Sequence, residues 1–206
     1  MRRRLMMLKK SGGGLPEGYT AVNYLQSSGT QWIEMGVAPN QNTKAVLKIK
    51  INVFTDAGAS LIGSRTNVNS NDQFNTYLDD YDGTRFLFRM DGQPEAISWK
   101  GLTTDKIYIV TLSGTEMKAE LEDGTAVFSK TFSVPDFTST VTMALFKSKP
   151  FNNGFQGRIY GCKHYSGDEL IQDFVPCLDT GGVPCMFDFV SRKPFYNVGT
   201  GSFIWG

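Results

Sequence analysis

The chain has 206 residues, of which 40% are hydrophobic and 20% are charged. A chain of this length buries roughly 70% of the surface that its unfolded form exposes, so it needs no disulfide or metal to fold. Its net charge is only +1, no apolar run approaches the ~18 residues of a membrane span, and the 15 Phe and 22 Gly favour strands joined by tight turns.

The first ten residues are a basic arm with five arginines and lysines and no acid. The rest of the chain holds the other 16 basic residues and all 20 acidic residues, so it is net acidic. The arm contains only four consecutive apolar residues, fewer than the roughly 7–15 of a secretory signal, and we predict no export signal and no membrane insertion. Residues 11–14, one serine and three glycines, form a flexible joint. The chain therefore divides into an arm at 1–14 and a domain at 15–206.

From residue 15 onward, alternating segments lie between turn signals that recur about every ten residues. In residues 43–54, four aliphatic side chains alternate with Lys and Asn, which predicts a strand with one face on a core and one in water. Residues 116–122 alternate in the same way. The other predicted strands are 31–35, 60–64, 73–78, 85–90, 106–112, 126–132, 141–146, 157–165 and 170–176.

The turns between these segments are also marked in the sequence. Asp-Gly pairs at 82–83, 91–92 and 123–124 suit hairpins, because glycine tolerates the positive φ that such turns require. No window of eleven or more residues carries a helical stripe. About a dozen short strands in one chain are typical of an all-β, two-sheet antiparallel jelly roll.

The three cysteines, Cys162, Cys177 and Cys185, are too few for a disulfide scaffold. We predict free, mostly buried thiols, because a buried free cysteine behaves as a small hydrophobic residue. A Cys177–Cys185 bridge across a tight loop is the alternative.

Two stretches of the sequence carry specific motifs in addition to the alternating pattern. The chain opens on LPEGYTAVNYLQSSGTQWI at 15–33, and near its end carries GRIY at 157–160, DFVPC at 173–177, GVPCMFD at 182–188 and GTGSF at 199–203. These motifs resemble the laminin-G/concanavalin-like jelly-roll family of phage and prophage virion proteins, found in tails, baseplates and head fibres. The resemblance covers about 15–203, and between 55 and 150 it rests only on the spacing of the predicted strands. Trp32 and Met35 stand where relatives more often carry Tyr and Thr.

The resemblance implies a concanavalin/laminin-G-like sandwich with an N-terminal arm, located on the virion after synthesis in the bacterial cytoplasm. It implies a non-enzymatic structural protein whose jelly roll binds host-surface glycan or decorates the head or tail, as a homo-oligomer or in many copies. The alternatives are a polysaccharide-degrading jelly-roll enzyme and a bacterial carbohydrate-binding module. We also expect the two chain ends to lie side by side in one sheet, with the last block pairing with nothing nearby in sequence.

The arm is the predicted contact with other virion proteins, since its apolar residues and cations would find apolar and acidic partners. Its docking residues would be Arg2, Arg3, Arg4, Leu5, Met6, Met7, Leu8, Lys9 and Lys10. Outside the arm the sequence shows no extended basic patch, and we therefore predict no nucleic-acid binding.

The sequence offers little for catalysis. The single histidine, His164, lies two residues from Cys162 on a predicted strand, which separates the side chains by ~7 Å, too far for a nucleophile–base hydrogen bond. Glu116, Glu120 and Glu122 share a strand face, as a glycosidase pair would require, but their alternation with core residues indicates a solvated surface. We predict that the chain is not an enzyme.

Binding candidates lie in the polar loops, where rigid sandwiches usually carry function. The glycan-binding candidates are exposed aromatic residues and their polar neighbours: Arg65, Asn67, Asn69, Asn71, Asp72, Tyr77, Tyr81 and Trp99. Three carboxylates in one turn, Asp79, Asp80 and Asp82, suit a calcium ion, although acidic turns are common without a metal. No cofactor is required by the sequence, and the calcium site remains an open alternative.

Overall fold

The computed structural model describes residues 14–54, 58–65, 73–79, 84–90, 96–149 and 153–206. Within these ranges every regular element is a β-strand, as the alternating segments predict, and no helix has the length and apolarity needed to cross a membrane. The strands are β1 (Thr20–Ala21), β2 (Leu25–Ser28), β3 (Ile33–Glu34), β4 (Thr43–Ile51), β5 (Ile62–Ser64), β6 (Phe74–Asp79), β7 (Arg85–Met90), β8 (Ile97–Lys100), β9 (Ile107–Ser113), β10 (Glu116–Leu121), β11 (Ala126–Thr131), β12 (Ala144–Leu145), β13 (Ser148–Lys149), β14 (Gln156–Ser166), β15 (Glu169–Leu178), β16 (Pro184–Asp188), β17 (Lys193–Tyr196) and β18 (Ile204–Trp205).

The larger sheet has the strand order β11-β10-β9-β4-β14-β15-β16-β17, and all its pairings are antiparallel. Three short strands from the chain ends join it: β1 pairs with β15, while β2 pairs with β14 and with β18. The eleven-residue β14 lies at the centre and pairs with β2, β4 and β15, while β15 pairs with β1, β14 and β16. A site at the junction of β14 and β15 is therefore positioned by both strands.

The second sheet has two parts. One has the order β13-β5-β12-β3 and the other the order β6-β7-β8. Two backbone hydrogen bonds between Ala59 and Leu78, of 2.8 and 2.7 Å, connect the chain just before β5 to β6. The pairing of β13 with β5 is parallel, and the remaining pairings are antiparallel.

The core lies between the inner faces of the two sheets. In β4, Ala45, Leu47, Ile49 and Ile51 are fully buried, and the lysines between them are only half-buried. Burying one such aliphatic side chain stabilises the fold by about 1.5–3 kcal/mol. The same alternation that predicted a strand thus determines which face of β4 packs on the core.

The two chain ends lie together, as predicted. Strand β18 pairs with β2, and the turn after β2 contacts the loop before β18. The backbone N–H of Thr200 donates to the carbonyl of Thr30 at 3.2 Å, and the Thr30 hydroxyl donates to the carbonyl of Thr200 at 3.1 Å. A Cβ at Gly199 would lie 1.9 Å from the Thr30 carbonyl oxygen, so only glycine permits this approach.

The prediction that the last block pairs with nothing nearby in sequence is wrong. Strands β15, β16 and β17 form two consecutive antiparallel hairpins. The first turns at Asp179, whose Oδ1 accepts the backbone N–H groups of Gly181 and Val183 at 2.8 and 2.9 Å. Such a side-chain-capped turn reverses the chain within a few residues. The turn signals identified in the sequence did not include 179–181, so this hairpin was not predicted.

Candidate functional site

The sequence-predicted glycan residues do not form one site in the described part of the chain. Arg65 and Tyr77 do come together: the guanidinium lies 5.3 Å from the ring centroid and donates a hydrogen bond to the phenol oxygen. Desolvation, followed by the charge of Arg89, lowers the pKa of Arg65. Five further candidates lie outside the described residues: Asn67, Asn69, Asn71, Asp72 and Tyr81.

The prediction that Trp99 is an exposed aromatic residue is wrong, because its side chain is buried. Only 6% of its surface is exposed. Its ring packs edge-on against Tyr108 at 5.4 Å and stacks on Phe128 at 5.7 Å, so it joins the two sheets. A ring held in this way contributes to the core and is not available to a sugar.

The calcium and docking predictions fall mostly outside the described residues. Asp80 and Asp82 are not described, and Asp79 is described only as the backbone end of β6. Within the described ranges, no group of three or more His, Cys, Asp or Glu side chains could hold a metal ion. The whole predicted docking segment, residues 2–10, also lies outside these ranges. Both remain predictions.

The cysteine and histidine of β14 are part of the core. His164 is 1% exposed, and its Nδ1 lies 3.0 Å from Oε1 of Gln172, whose amide donates to the carbonyl of Met35 at 2.8 Å. Burial lowers the pKa of His164, and the hydrogen bond to Gln172 opposes this shift. Burial also raises the pKa of Cys162 strongly, so its thiol is not ionised. The pair therefore has no activated nucleophile.

The three glutamates near β10 are surface groups. Glu120 forms an ion pair with Lys118 at 2.8 Å, and Glu122 forms one with Lys48. Their side chains are 30% and 56% exposed, which agrees with the solvated face that the alternation predicted. Exposed carboxylates that pair with lysines differ from a glycosidase pair, whose two carboxyl groups flank the scissile bond.

A break in the strand pairing at Tyr160 is the most unusual feature of the larger sheet. On one edge of β14, β2 pairs up to Ile159 and β15 begins to pair at Cys162. On the other edge, the register with β4 shifts between Ile159 and Gly161. Tyr160 consequently has no register partner in β2, β4 or β15. We call this β-bulge at the point where β2 and β15 diverge the Tyr160 fork.

The Tyr160 fork opens into a cleft of about 280 Å³. A hydrogen bond of 3.2 Å from the backbone N–H of Val22 to the carbonyl of Pro176 ties the chain segment between β1 and β2 to β15 beside the cleft. Bulges are concentrated at functional sites, where they re-aim a side chain and end pairing. The lining residues are Leu15, Ala21, Val22, Asn23, Tyr160, Gly161, Cys162, Asp173, Phe174, Val175 and Pro176.

Aromatic rings and cations surround Tyr160. Tyr24 packs edge-on against it, with 5.6 Å between the ring centroids. The guanidinium of Arg158 lies 4.2 Å from the Tyr24 centroid and donates from Nε to Oε1 of Gln26 at 2.8 Å. Lys48 lies 5.3 Å from the Tyr160 centroid. Cations placed in this way hold an aromatic side chain in one orientation.

One wall of the cleft holds a buried ion pair. Lys163 Nζ lies 2.7 Å from Oδ2 of Asp173, and the two side chains are 12% and 5% exposed. The backbone N–H of Asp173 donates to Oδ1 of Asp188 at 2.7 Å, which fixes this part of β15. The cleft is therefore lined by a carboxylate that pairs with Lys163, by Asn23 and by the aromatic residue Tyr160. These groups suit a ligand with hydroxyl groups and an apolar face.

The Tyr160 fork was not predicted from the sequence, although two glycines indicated an irregular strand. Gly157 begins the predicted strand 157–165 and Gly161 interrupts it, and a glycine in a strand often marks a bulge or a close approach. At Gly157, a Cβ would lie 2.4 Å from the carbonyl oxygen of Lys50. The glycines predicted an irregular strand, but the divergence of β2 and β15 depends on contacts far apart in sequence.

Comparisons with known proteins bear on the fold. A scan of protein-family models found no match, and a search of curated proteins found none. A Bacteroides ovatus protein provisionally described as carbohydrate-binding aligns with a TM-score of 0.59 at 13% identity, over 90% of this chain and 60% of its own. Domains LG4-5 of the mouse laminin alpha1 chain align with a TM-score of 0.50 at 11% identity, over 95% of this chain and 48% of theirs.

This chain thus spans less than two thirds of the length of each of these two structures. At such low identities the likeness concerns the fold and not the site. Together with the two antiparallel sheets, it identifies the chain as a jelly roll of the laminin-G-like kind.

Proposed function

We propose that the Tyr160 fork binds one sugar unit of a glycan, and that the chain is a structural protein displayed on a phage particle. The observation that carries the glycan proposal is the cleft itself, in which Tyr160, Asn23 and Asp173 converge. The apolar C–H face of a sugar packs on an aromatic ring, while its hydroxyl groups pair with carboxylate and amide oxygens. A few placed polar groups in a mostly apolar hollow are the usual form of a ligand site.

The size of the cleft limits what it holds. A volume of about 280 Å³ is just below the roughly 300–1,000 Å³ of pockets for drug-sized ligands. This is room for a single sugar unit, with the rest of the glycan lying along the sheet surface. The fold of the Bacteroides ovatus protein, provisionally described as carbohydrate-binding, supports the same class of ligand.

The experiment measures binding of the full chain to an array of bacterial surface polysaccharides. We expect a subset to bind, and we expect Tyr160→Ala to weaken that binding at least tenfold. Tyr196→Ala is the matched control, because Tyr196 is 40% exposed on β17 of the same sheet and does not line the cleft. If no polysaccharide binds, or if folded Tyr160→Ala binds as well as the control, the glycan proposal is wrong.

The phage proposal rests on the resemblance of the motifs at 15–33 and 157–203, and the arm is the proposed docking element. Deleting residues 1–13 tests it, since the domain at 15–206 has its own core. We expect the full chain to co-purify with phage particles and the truncated chain to be lost from them. Co-purification of the truncated chain would show that docking does not use the arm.

A further inference from the structure

The two central strands of the larger sheet carry positive charge only. Strands β4 and β14 together have 20 residues, with five lysines and arginines and no acid. The other residues from 15 onward hold eleven basic and 20 acidic side chains, so the basic charge is concentrated in an otherwise acidic domain. The five cations are Lys44, Lys48, Lys50, Arg158 and Lys163.

Strand geometry places these cations on one surface. Each alternates with buried neighbours, so all five face away from the core; the Lys163 side chain is only 12% exposed, and the other four are partly exposed. The register sets Lys50 opposite Arg158, and Lys163 opposite Val46. Tyr160 lies in the same outward row, between Arg158 and Lys163. We call this surface the β4–β14 face, and the Tyr160 fork opens beside it.

Three of the five cations have no acidic partner within salt-bridge distance in the described part of the chain. Lys48 pairs with Glu122 and Lys163 pairs with Asp173, whereas the salt bridges of the described residues include none from Lys44, Lys50 or Arg158. Strand β10, which β9 separates from β4, differs because its Lys118 and Glu120 neutralise each other. A surface whose charges all have the same sign attracts ligands of the opposite charge to a cleft beside it.

The arrangement favours an acidic glycan over a nucleic acid. A nucleic acid presents a phosphate at every nucleotide, and tight binding commonly uses six to ten phosphate contacts. Here only Lys44, Lys50 and Arg158 lack a salt-bridge partner among the described residues, and none of them lines the cleft, whose carboxylate, Asp173, is paired with Lys163. In a glycan, a neutral sugar can occupy the cleft while acidic sugars on either side reach the cations. Arg158 lies two residues, ~7 Å, from Tyr160 along the strand.

We infer that the β4–β14 face binds an acidic polysaccharide in which uronate-bearing sugars alternate with neutral sugars, with a neutral unit in the Tyr160 fork. The inference rests on the proposed glycan function and specifies its ligand class. No basic patch was predicted from the sequence, because the three cations of β4 and the two of β14 are more than a hundred residues apart and only the pairing of these strands brings the two groups together.

The test compares one polymer with and without its charge. The full chain is titrated with hyaluronan, in which glucuronate alternates with a neutral sugar, and with carboxyl-reduced hyaluronan of the same length. We expect at least tenfold tighter binding to the charged polymer, and a loss of binding as salt rises from 50 to 200 mM, because salt screens charge interactions at an exposed face. A single-stranded DNA of similar length is the third probe.

Charge variants locate the binding. We expect the double variant Lys44→Gln with Lys50→Gln to bind hyaluronan about tenfold more weakly. The matched control is Lys130→Gln with Lys193→Gln, which removes the same charge from exposed positions on β11 and β17 and should bind as the parent chain does.

The outcomes separate the two proposals. If the polysaccharides that bind are neutral, or if carboxyl reduction leaves the affinity unchanged, the acidic ligand is wrong while the Tyr160 fork survives as a glycan site. Equal losses in both double variants would also overturn the inference. Tighter binding of the DNA than of hyaluronan would assign the face to nucleic acid instead. If no polysaccharide binds in either experiment, the glycan function itself fails.

Discussion

The outer face of the larger sheet has two halves that differ in what lies over them. Over β4 and β14 the outward positions carry lysines, Arg158 and Tyr160 and remain open. Over β15 and β16 they form a second apolar cluster with a segment of chain packed on it. Tyr19 packs edge-on against Phe187, with 5.4 Å between the centroids. This cluster consists of Leu15, Tyr19, Val175, Cys177, Cys185, Phe187 and Phe189.

The two halves differ in whether packing accounts for their outward side chains. In the covered half, the segment before β1 hides apolar side chains from water, so their identity follows from stability. In the open half, Lys48 and Lys163 pair with acidic residues of other elements, whereas no salt bridge among the described residues accounts for Lys44, Lys50 or Arg158. Charged side chains at such positions contribute little to stability. We test this division first at the boundary between the halves, then in the covered half and last in the open half.

The largest expected effect is at the boundary, where Lys163 and Asp173 are almost completely buried. Replacing Lys163 with Met leaves an unpaired buried carboxylate, so we expect a loss of about 3–5 kcal/mol in the free energy of unfolding, measured by urea denaturation. Replacing both residues, with Lys163→Met and Asp173→Leu, should recover most of this loss. A loss below about 1 kcal/mol for the single variant would show that the pair behaves as an exposed one.

The next effect concerns the two thiols of the covered half. Cys177 and Cys185 are register partners with 3.4 Å between their sulfurs, and both are free. A hydrogen bond from Cys185 lowers the pKa of Cys177. We expect the Cys177 thiolate to attack glutathione disulfide, releasing one glutathione, and Cys185 to displace the second, which leaves a protein disulfide.

Closing so short a loop should stabilise the chain by about 2 kcal/mol in urea denaturation. The rate of disulfide formation should rise with pH as Cys177 ionises. Because the pKa of Cys177 is lowered, this rise should occur at a lower pH than for an ordinary thiol. Mass spectrometry should show the loss of two hydrogens and no retained glutathione. Cys185→Ser is the control and should stop at the mixed disulfide. A stable mixed disulfide in the parent chain would contradict this prediction.

The sequence predicted the parts of the structure that depend on local alternation. Strand β4 and the meeting of the chain ends agree with the prediction, the latter because the terminal motifs resemble a known family. Strand β8 was missed because its alternation spans only four residues, and with it the burial of Trp99. The Tyr160 fork and the β4–β14 face depend on which distant strands become neighbours, which alternation does not reveal.

A smaller effect is expected when the covered half is opened. Tyr19→Ala removes a half-buried ring over Phe187, so we expect a loss of about 1–2 kcal/mol in the free energy of unfolding. The thiols of Cys177 and Cys185 should then react faster with a maleimide in the native state. Tyr19→Phe keeps the ring and is the control. If labelling of the alanine variant is no faster, the segment before β1 does not shield the thiols.

The smallest effect is expected in the open half. Lys44→Gln combined with Lys50→Gln removes two cations that form no salt bridge with another described residue, so we expect the free energy of unfolding to change by less than about 0.5 kcal/mol. Removing Lys50 relieves its repulsion with Arg158 but loses its attraction to Asp105, and these two effects oppose each other. Urea denaturation at low salt measures this most sensitively, since salt screens surface charge. A loss above about 1 kcal/mol would mean that these lysines support the fold, and the charge of the β4–β14 face would then need no ligand to explain it.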